Sequence, residues 1–361
     1  MTGGTTATGG TTATGGEATN MRDIPSQQVV EEMRVGWNLG NTLDADPDET
    51  AWGNPVTSQA MIDAIANAGF GTVRVPVTWA HHMGGPPNYA VDAQWMDRVE
   101  EVVNYVLSTG MYAIVNTHHE EWVSLMPTAD HAAIANEIGL LWTQIATRFR
   151  DYGDHLIFET LNEPRLRGTH EWDGGTTEAR AILNDYNLAA VNAIRATGEN
   201  NTIRHIMIPG HAANPGTTPA VINELVIPND DPKIIVSVHT YYPNDFSFGN
   251  NNVTTWGTIE DMAASLDSIY DLLRARGRAV VIGEWGSVNQ NNTTERATHA
   301  EAYARLATER GMCPIWWDNG ALAPGADGFG LLDRAASPPN WAFSEIVTDL
   351  VNGAEAGAAA R

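Results

Sequence analysis

The chain has 361 residues, with 20 Lys and Arg against 44 Asp and Glu, a formal net charge of −24. At 43% hydrophobic and 18% charged residues it reads as globular, but so acidic a chain lacks the basic face that nucleic-acid phosphates or an anionic membrane would require. The single cysteine, Cys313, excludes an internal disulfide or a cysteine-based zinc or redox cluster, and the single lysine, Lys233, confines any Schiff-base chemistry to that position.

Residues 1–22 open MTGGTTATGGTTATGG, a Thr/Gly/Ala repeat with no period that could bury a face. They are expected to form a flexible linker or tail, of the kind that joins modules. From 23 to 352 the pattern changes. Short β-branched runs at 33–37, 72–77, 112–116, 156–160, 203–208, 234–239, 279–284 and 312–317 predict eight strands. Helical periodicity fills the intervals at 57–69, 94–109, 132–150, 178–197, 258–276 and 294–310, and is weakest in the short 218–226 interval. It is clearest at 94–109, where Trp95, Val99, Val102, Val103 and Val106 share one face. Residues 353–361, GAEAGAAAR, are expected to be an unstructured tail.

Several strands, such as IVSV and AVVIG, are apolar on both faces, which suits a parallel sheet covered by helices. Eight strands alternating with helices predict an α/β fold, a (β/α)8 TIM barrel forming one catalytic domain. An open doubly wound sheet is the alternative, but no GxGxxG follows the first strand. No apolar run of about 18 residues is present. The N-terminus lacks the basic start and apolar core of a secretory signal.

Barrel enzymes place their chemistry at the C-terminal ends of the strands. The ends here offer Asn38, then Arg74 inside TVRVPV, His118 and His119 in NTHHE, and Asn162 and Glu163 in ETLNEP. They continue with His211, with His239 and Tyr241 in HTYYP, with Glu284 in GEWG, and with Trp316, Trp317 and Asn319 in WWDNG. A guanidinium inside an apolar strand needs a carboxylate partner, so Arg74 is expected to hold an active-site carboxylate ionised. Glu163 and Glu284 lie three βα units apart and should face each other across the mouth. Two facing carboxylates, one protonated and one ionised, are the apparatus of glycoside hydrolysis. Glu159 is the rival acid on the fourth strand. Twelve Trp residues, with Trp52, Trp79, Trp122, Trp172, Trp285, Trp316 and Trp317 near predicted strand ends or in loops, suit a ligand with apolar C–H faces.

Two other readings stay open from the residues. His118, His119, His211 and His239 with Glu163 could ligate a metal, although adjacent His118 and His119 should point to opposite sides of their strand. A non-catalytic sugar-binding barrel would keep the aromatics without needing the carboxylate pair.

The stretches GWNLGNTLDA (36–45), TVRVPVTW (72–79), IVNTHHE (114–120), FETLNEP (158–164), VSVHTYYP (236–243), VIGEWG (281–286) and WWDNG (316–320) fall in order on successive strand ends. With them the segment 25–350 resembles glycoside hydrolase family 5, the cellulases of clan A, and within it the bacterial endoglucanases. The resemblance implies a retaining endo-β-1,4-glucanase with Glu163 as acid/base and Glu284 as nucleophile. It implies that Asn162 binds the 2-hydroxyl, that Arg74 and Tyr241 position the nucleophile, and that His118 and His239 line the cleft. Trp317 would be the sugar platform, with Trp316 turned away. Asn38, His119, Trp52 and Asn319 are expected to support the site or the substrate. No cofactor and no metal are implied, and the partner is a β-1,4-linked polysaccharide. A monomer acting outside the cell, joined to a carbohydrate-binding module not present here, is the further expectation.

Overall fold

The structure, a computed structural model, describes residues 21–361. The elements in chain order begin α1 (Ser26–Met33), β1 (Gly36–Leu39), α2 (Gln59–Asn67), β2 (Thr72–Val75), α3 (Ala93–Ser108), β3 (Tyr112–Asn116), α4 (His131–Arg148) and β4 (Leu156–Glu159). Then come α5 (Thr177–Ala196), β5 (Ile206–Pro209), α6 (Pro219–Asn223), β6 (Ile234–His239), α7 (Asn244–Phe248), α8 (Ile259–Leu272) and β7 (Ala279–Trp285). The chain finishes with α9 (Thr293–Glu309), β8 (Cys313–Asp318), the short β9 (Leu332–Asp333) and β10 (Asn340–Trp341), and α10 (Ser344–Ala359). Strands β1 to β8 pair in parallel and in order, and β8 closes on β1 as a barrel.

Alternation along the strands sorts the side chains. Val35, Trp37, Val73, Val75, Leu156, Phe158, Val236 and Val238 face outward under the helices. Tyr112, Ile114, Ile157, Met207, Ile235, Val281, Cys313 and Ile315 fill the lower barrel. Helix α1 closes that end by adding Val29, Val30 and Met33 to the same cluster. This explains why the first strand starts at Gly36 rather than 33: Met33 is the last residue of an amphipathic plug. Above the apolar floor the inward positions become polar, with Asn38, Arg74, Asn116, Glu159 and Ser237 all fully buried.

The fifth strand starts at Ile206 instead of 203 because Arg204 is committed elsewhere. Its buried guanidinium donates to the carbonyls of Phe149, Tyr152, Gly153 and Leu156, tying the loop before β4 to the loop before β5.

Two expected boundaries change. Of the linker placed at 1–22, residues 1–20 lie outside the described residues. Arg22, however, belongs to the folded domain, donating to Asp154 Oδ2 (2.8 Å) and Glu32 Oε2 (2.8 Å). The tail expected over 353–361 is instead the end of α10, which continues to Ala359. Its small residues are a contact surface. A Cβ at Gly357 would lie 2.1 Å from the Arg305 carbonyl oxygen of α9, and one at Gly353 would lie 2.3 Å from the Glu301 carbonyl oxygen. Thr308 Oγ1 donates to the Ala354 carbonyl (3.1 Å) across this seam. Glycine and alanine let two backbones approach where a larger side chain would separate them, and the propensity cost of glycine is offset by that packing.

Candidate active site

Strict alternation would point Glu284 outward, because Val281 faces the barrel interior and Ile282 faces the helices. A bulge reverses this. Val238 pairs with Ile282, but His239 pairs with Glu284, so β7 carries Gly283 as an extra residue against β6. Beyond it Glu284 faces the mouth, while Trp285 packs in the outer core against Tyr303 of α9 (4.0 Å between ring centroids). Glycine is required at the bulge: a Cβ there would sit 2.9 Å from His239 Nε2 and 3.1 Å from Ser237 Oγ.

Arg74 projects into the barrel and spends its donors on three other strands, β1, β4 with its following loop, and β7. Nε donates to Glu159 Oε2 (2.7 Å), and one terminal nitrogen donates to Glu284 Oε1 (2.9 Å) and Asn38 Oδ1 (3.0 Å). The other donates to Asn162 Oδ1 (2.6 Å). Burial alone would depress this guanidinium, but the charges of Glu159 and Glu284 outweigh that and keep it charged. Tyr241 donates its hydroxyl to Glu284 Oε2 (2.9 Å), so both carboxylate oxygens of Glu284 receive a donor. Burial, with the Glu284 charge, holds the Tyr241 hydroxyl protonated.

Glu163 has different company. Its Oε1 lies 2.8 Å from His239 Nδ1, and that same nitrogen is 3.7 Å from Glu284 Oε2. An oxygen of Glu163 and an oxygen of Glu284 lie within 4.8 Å of each other. Burial raises both carboxyls. At Glu163 the His239 hydrogen bond and charge overcome burial and bring it below the ordinary value. At Glu284 the Glu163 charge adds to burial, and the net direction is upward despite His239 and Arg74. Burial lowers His239, but the Glu284 and Glu163 charges raise it further, so in the free site it holds a proton against Glu163.

The hydrogen bonds also assign the tautomer of His118. Asn116 accepts the Val77 N–H at its Oδ1 (3.0 Å), so its Nδ2 faces Glu159 Oε2 (3.1 Å) and His118 Nδ1 (3.1 Å) and donates to both. Burial holds His118 well below its ordinary value, hence neutral. Its Nδ1 is then an acceptor, and Nε2–H is the group presented to the cleft. The ring lies parallel to Trp317, 5.8 Å between centroids.

The histidine reading of the sequence separates accordingly. Asp44, His118 and His119 bring ligand-type atoms within 4.8 Å of one another, as do Glu163, His239 and Glu284; His211 joins neither group among the described residues. His118 turns a proton rather than a lone pair toward Asp44, and Asp44 already accepts the N–H groups of Asn41 and Thr42. Burial pushes Asp44 up to about 6. His211 Nε2 accepts the Leu166 N–H (2.8 Å) and shapes the loop after β4. The expected divergence of His118 and His119 does not occur: both lie past the end of β3, where strand alternation no longer applies. Their rings meet edge-on (4.4 Å between centroids), and both Nε2 atoms approach Asp44 Oδ2 (4.0 Å), with His118 buried and His119 exposed beside Trp52 (5.5 Å between centroids).

Of the seven tryptophans near strand ends, Trp79, Trp285 and Trp316 are fully buried core residues. Trp52 and Trp172 are exposed, at 45% and 55%. Arg165 lies over the Trp172 ring, 4.4 Å from its centroid. Asn319 departs from its expected role: Nδ2 donates to the Asp327 carbonyl (2.8 Å) and Oδ1 accepts the Ala321 N–H (3.1 Å), so it shapes the loop after β8 and is not available to substrate. Asn38 likewise is enclosed; it braces Arg74 and donates to the Gly283 carbonyl beside the bulge (2.9 Å).

Sequence reading set Glu159 aside as a rival to Glu163 and did not single out Asn116, Ser237 or Glu120. The signal for the first three was parity: each is polar at an inward position of a strand whose other inward residues are apolar. Glu120 gave no such signal. Burial pushes it up to about 7, and it accepts the Trp79 N–H and the Trp122 Nε1–H (2.8 Å), bracing the wall of the cleft.

A closed parallel barrel whose mouth holds two facing carboxylates, one gripped by arginine and tyrosine and the other by histidine, defines a glycoside hydrolase. The chain belongs to glycosyl hydrolase family 5: the cellulase family model matches residues 34–322. It is 50% identical over 346 residues to endoglucanase B of Clostridium cellulovorans, covering 94% of this chain and 78% of that protein. It is 50% identical over 341 residues to the cellulase/esterase CelE of Acetivibrio thermocellus, covering 92% of this chain and 41% of that one. It superposes with a TM-score of 0.88 on a GH5-4 broad specificity endoglucanase from Clostridium acetobutylicum, 49% identical, over 91% of this chain and all of the other. The expected fold and family therefore hold.

Proposed function

We propose that the protein is a retaining endo-β-1,4-glucanase in which Glu284 attacks the anomeric carbon and Glu163 handles the proton. The observation that carries this reading is the Glu163–Glu284 approach within 4.8 Å. Oxygens that near one another fit the short carboxyl separation of retaining enzymes, roughly 5–5.5 Å, better than the ~6.5–9.5 Å that leaves room for an inverting water.

The chemistry needs Glu163 protonated and Glu284 ionised. The free site holds the required proton one hydrogen bond away, on His239. Its transfer to Glu163 along the 2.8 Å contact leaves a neutral imidazole and an acid poised at the glycosidic oxygen. Arg74 and Tyr241 keep Glu284 ionised as it forms the glycosyl ester and the leaving sugar takes the Glu163 proton. Glu163, now a carboxylate, removes a proton from water; the water oxygen displaces Glu284, and the configuration is restored. Asn162 is fixed through Oδ1 by Arg74; its Nδ2, 3.4 Å from His118 Nε2 in the free site, turns to the sugar 2-hydroxyl, and His118 offers Nε2–H beside the Trp317 platform.

The pH profile follows from the directions above. Activity is lost on the acid side as Glu284 protonates, above the ordinary glutamate value of 4.5. It is lost on the alkaline side as the pair His239–Glu163 gives up its proton, above the ordinary histidine value of 6.5. In His239→Asn the alkaline limb should move to lower pH, because a lone Glu163 binds its proton less tightly than the pair, and kcat should fall about 10²-fold. An unmoved alkaline limb would remove His239 from the proton path.

Substrate class is tested with carboxymethylcellulose, barley β-glucan, xyloglucan, glucomannan and xylan, with analysis of the products. Release of short β-1,4-gluco-oligosaccharides from internal cleavage is expected. High activity on mannan with none on the glucans would overturn the glucanase reading. Action outside the cell is part of the proposal, since polymeric glucan does not enter cells; activity confined to the cell interior would refute it. A monomeric state is likewise proposed and is checked by light scattering.

A further inference from the structure

The guanidinium that holds Glu284 also holds a second carboxylate that the reaction does not touch. Glu159 is fully buried at the C-terminal end of β4, beneath the cleft. Each of its oxygens has an assigned partner from a different strand: Oε1 accepts the Ser237 hydroxyl of β6 (2.6 Å), and Oε2 accepts Arg74 Nε of β2 (2.7 Å) and Asn116 Nδ2 of β3 (3.1 Å). Arg74 therefore carries one positive charge between two carboxylates, and its planar fork cannot rotate without breaking the Glu159 bond.

From this geometry we infer that Glu159 is a positioning residue that sets the working charge of the site. It aims Arg74 at Glu284 and Asn162, takes up part of the arginine charge so that Glu284 stays nucleophilic, and, through Asn116, fixes His118 with Nε2–H toward the cleft. This inference rests on Glu284 being the nucleophile.

An unshared guanidinium would hold Glu284 so firmly as an anion that its attack on carbon would be slowed. With Glu159 present, part of the positive field is cancelled at its source. The other groups facing Glu284 are Glu163 from the loop after β4, and His239 and Tyr241 from the end of β6; Glu159 faces Arg74 as its one charged neighbour. Removing the Glu159 charge makes the whole mouth more positive. It must then favour the ionised form of both Glu284 and Glu163.

Glu159→Gln tests this with little change of shape. The amide oxygen still accepts from Arg74 and Asn116, and the amide nitrogen donates to Ser237 Oγ, whose hydroxyl rotates to accept. Both limbs of the kcat/KM profile on a soluble glucan should move to lower pH by on the order of one unit. The pH midpoint for inactivation by a 2-deoxy-2-fluoro-cellobiosyl fluoride, which reports Glu284 ionisation alone, should move with the acid limb. Glu159→Asp, which keeps the charge, should retain the wild-type limbs. A purely structural role would lower the melting temperature and leave the limbs and the midpoint in place, and that result overturns the inference.

If Glu159→Gln does not fold, Ser237→Ala supplies the same test with the opposite sign. Loss of the hydroxyl donor leaves Glu159 a stronger competitor for Arg74, and both limbs should rise by a few tenths of a unit; unmoved limbs overturn the inference. Peptide mapping of the inactivated wild-type enzyme separates the two assignments. Label on Glu284 with unmoved limbs in the variants defeats the role of Glu159 alone, whereas label on another residue defeats the nucleophile assignment and the inference with it.

Discussion

Replacement of Glu284 by Gln is expected to lower kcat on a soluble β-glucan by at least about 10⁴-fold, with the melting temperature within a few degrees of wild type. The size of the effect follows from the loss of a covalent path: the amide cannot form the glycosyl ester, and no neighbouring carboxylate can replace it. Glu159 is held beneath Arg74, and Glu163 faces the leaving-group oxygen. The fold should survive because an amide is isosteric, its oxygen still accepts from Arg74, and the Tyr241 hydroxyl can rotate to accept the amide N–H. In Glu284→Gly, azide fits where the carboxylate stood and attacks from the same side, so activity on an activated aryl glycoside should return with an α-glycosyl azide as product. Retention of most activity in Glu284→Gln would refute its role as nucleophile. A non-catalytic sugar-binding barrel would have no turnover to lose in either variant.

Glu163→Ala separates the two steps of the reaction. On polysaccharide, where the leaving group is a poor one, the loss should be about 10²–10⁴-fold, the range for a general acid. With a dinitrophenyl cellobioside the leaving group needs no proton, so the first step should run near its normal rate. The glycosyl-enzyme should then accumulate, because no base remains to activate water, and mass spectrometry should find the sugar on Glu284. Azide, which needs no base, should speed turnover and give a β-glycosyl azide. Equal losses on the two substrates would refute the acid/base role. The same comparison distinguishes Glu163 from Glu159: a residue acting only through Arg74 should show no dependence on leaving-group acidity.

The identity of the site elements was legible because strand ends in a closed barrel converge by topology. Once eight strands were counted, Glu163 and Glu284 had to meet. The bulge at Gly283 was less legible. Alternation read along AVVIGEW gives the wrong face for Glu284, and the correct one emerges only when β7 is paired against β6. Arg74 was correctly read as an arginine that needs a carboxylate, but the sequence offered Glu159, Glu163 and Glu284 as candidates; it binds the first and third, which flank it across the axis. Asn319 sits one residue beyond β8, where the chain has left the barrel wall, and the turn claims both ends of its amide. The C-terminal GAEAGAAAR looked structureless because its small residues carry little hydrophobic signal of their own; their value lies in how closely they let α10 approach α9.

The sequence by itself determined the order of strands and helices, the barrel class, the family, and which two carboxylates face each other. These depend on local periodicity and on motifs in fixed order, and the chain carries both without reference to its folded form. The net charge of −24 belongs here too: it argues against nucleic-acid and membrane partners and does not bear on a neutral sugar polymer. Only the tertiary structure decided which acids share Arg74, which way the bulge turns Glu284, how Asn116 sets the His118 tautomer, and that the last helix is a packed element. Each of these depends on contacts between segments far apart in the chain, where hydrogen-bond partners and backbone separations are set by the closed barrel.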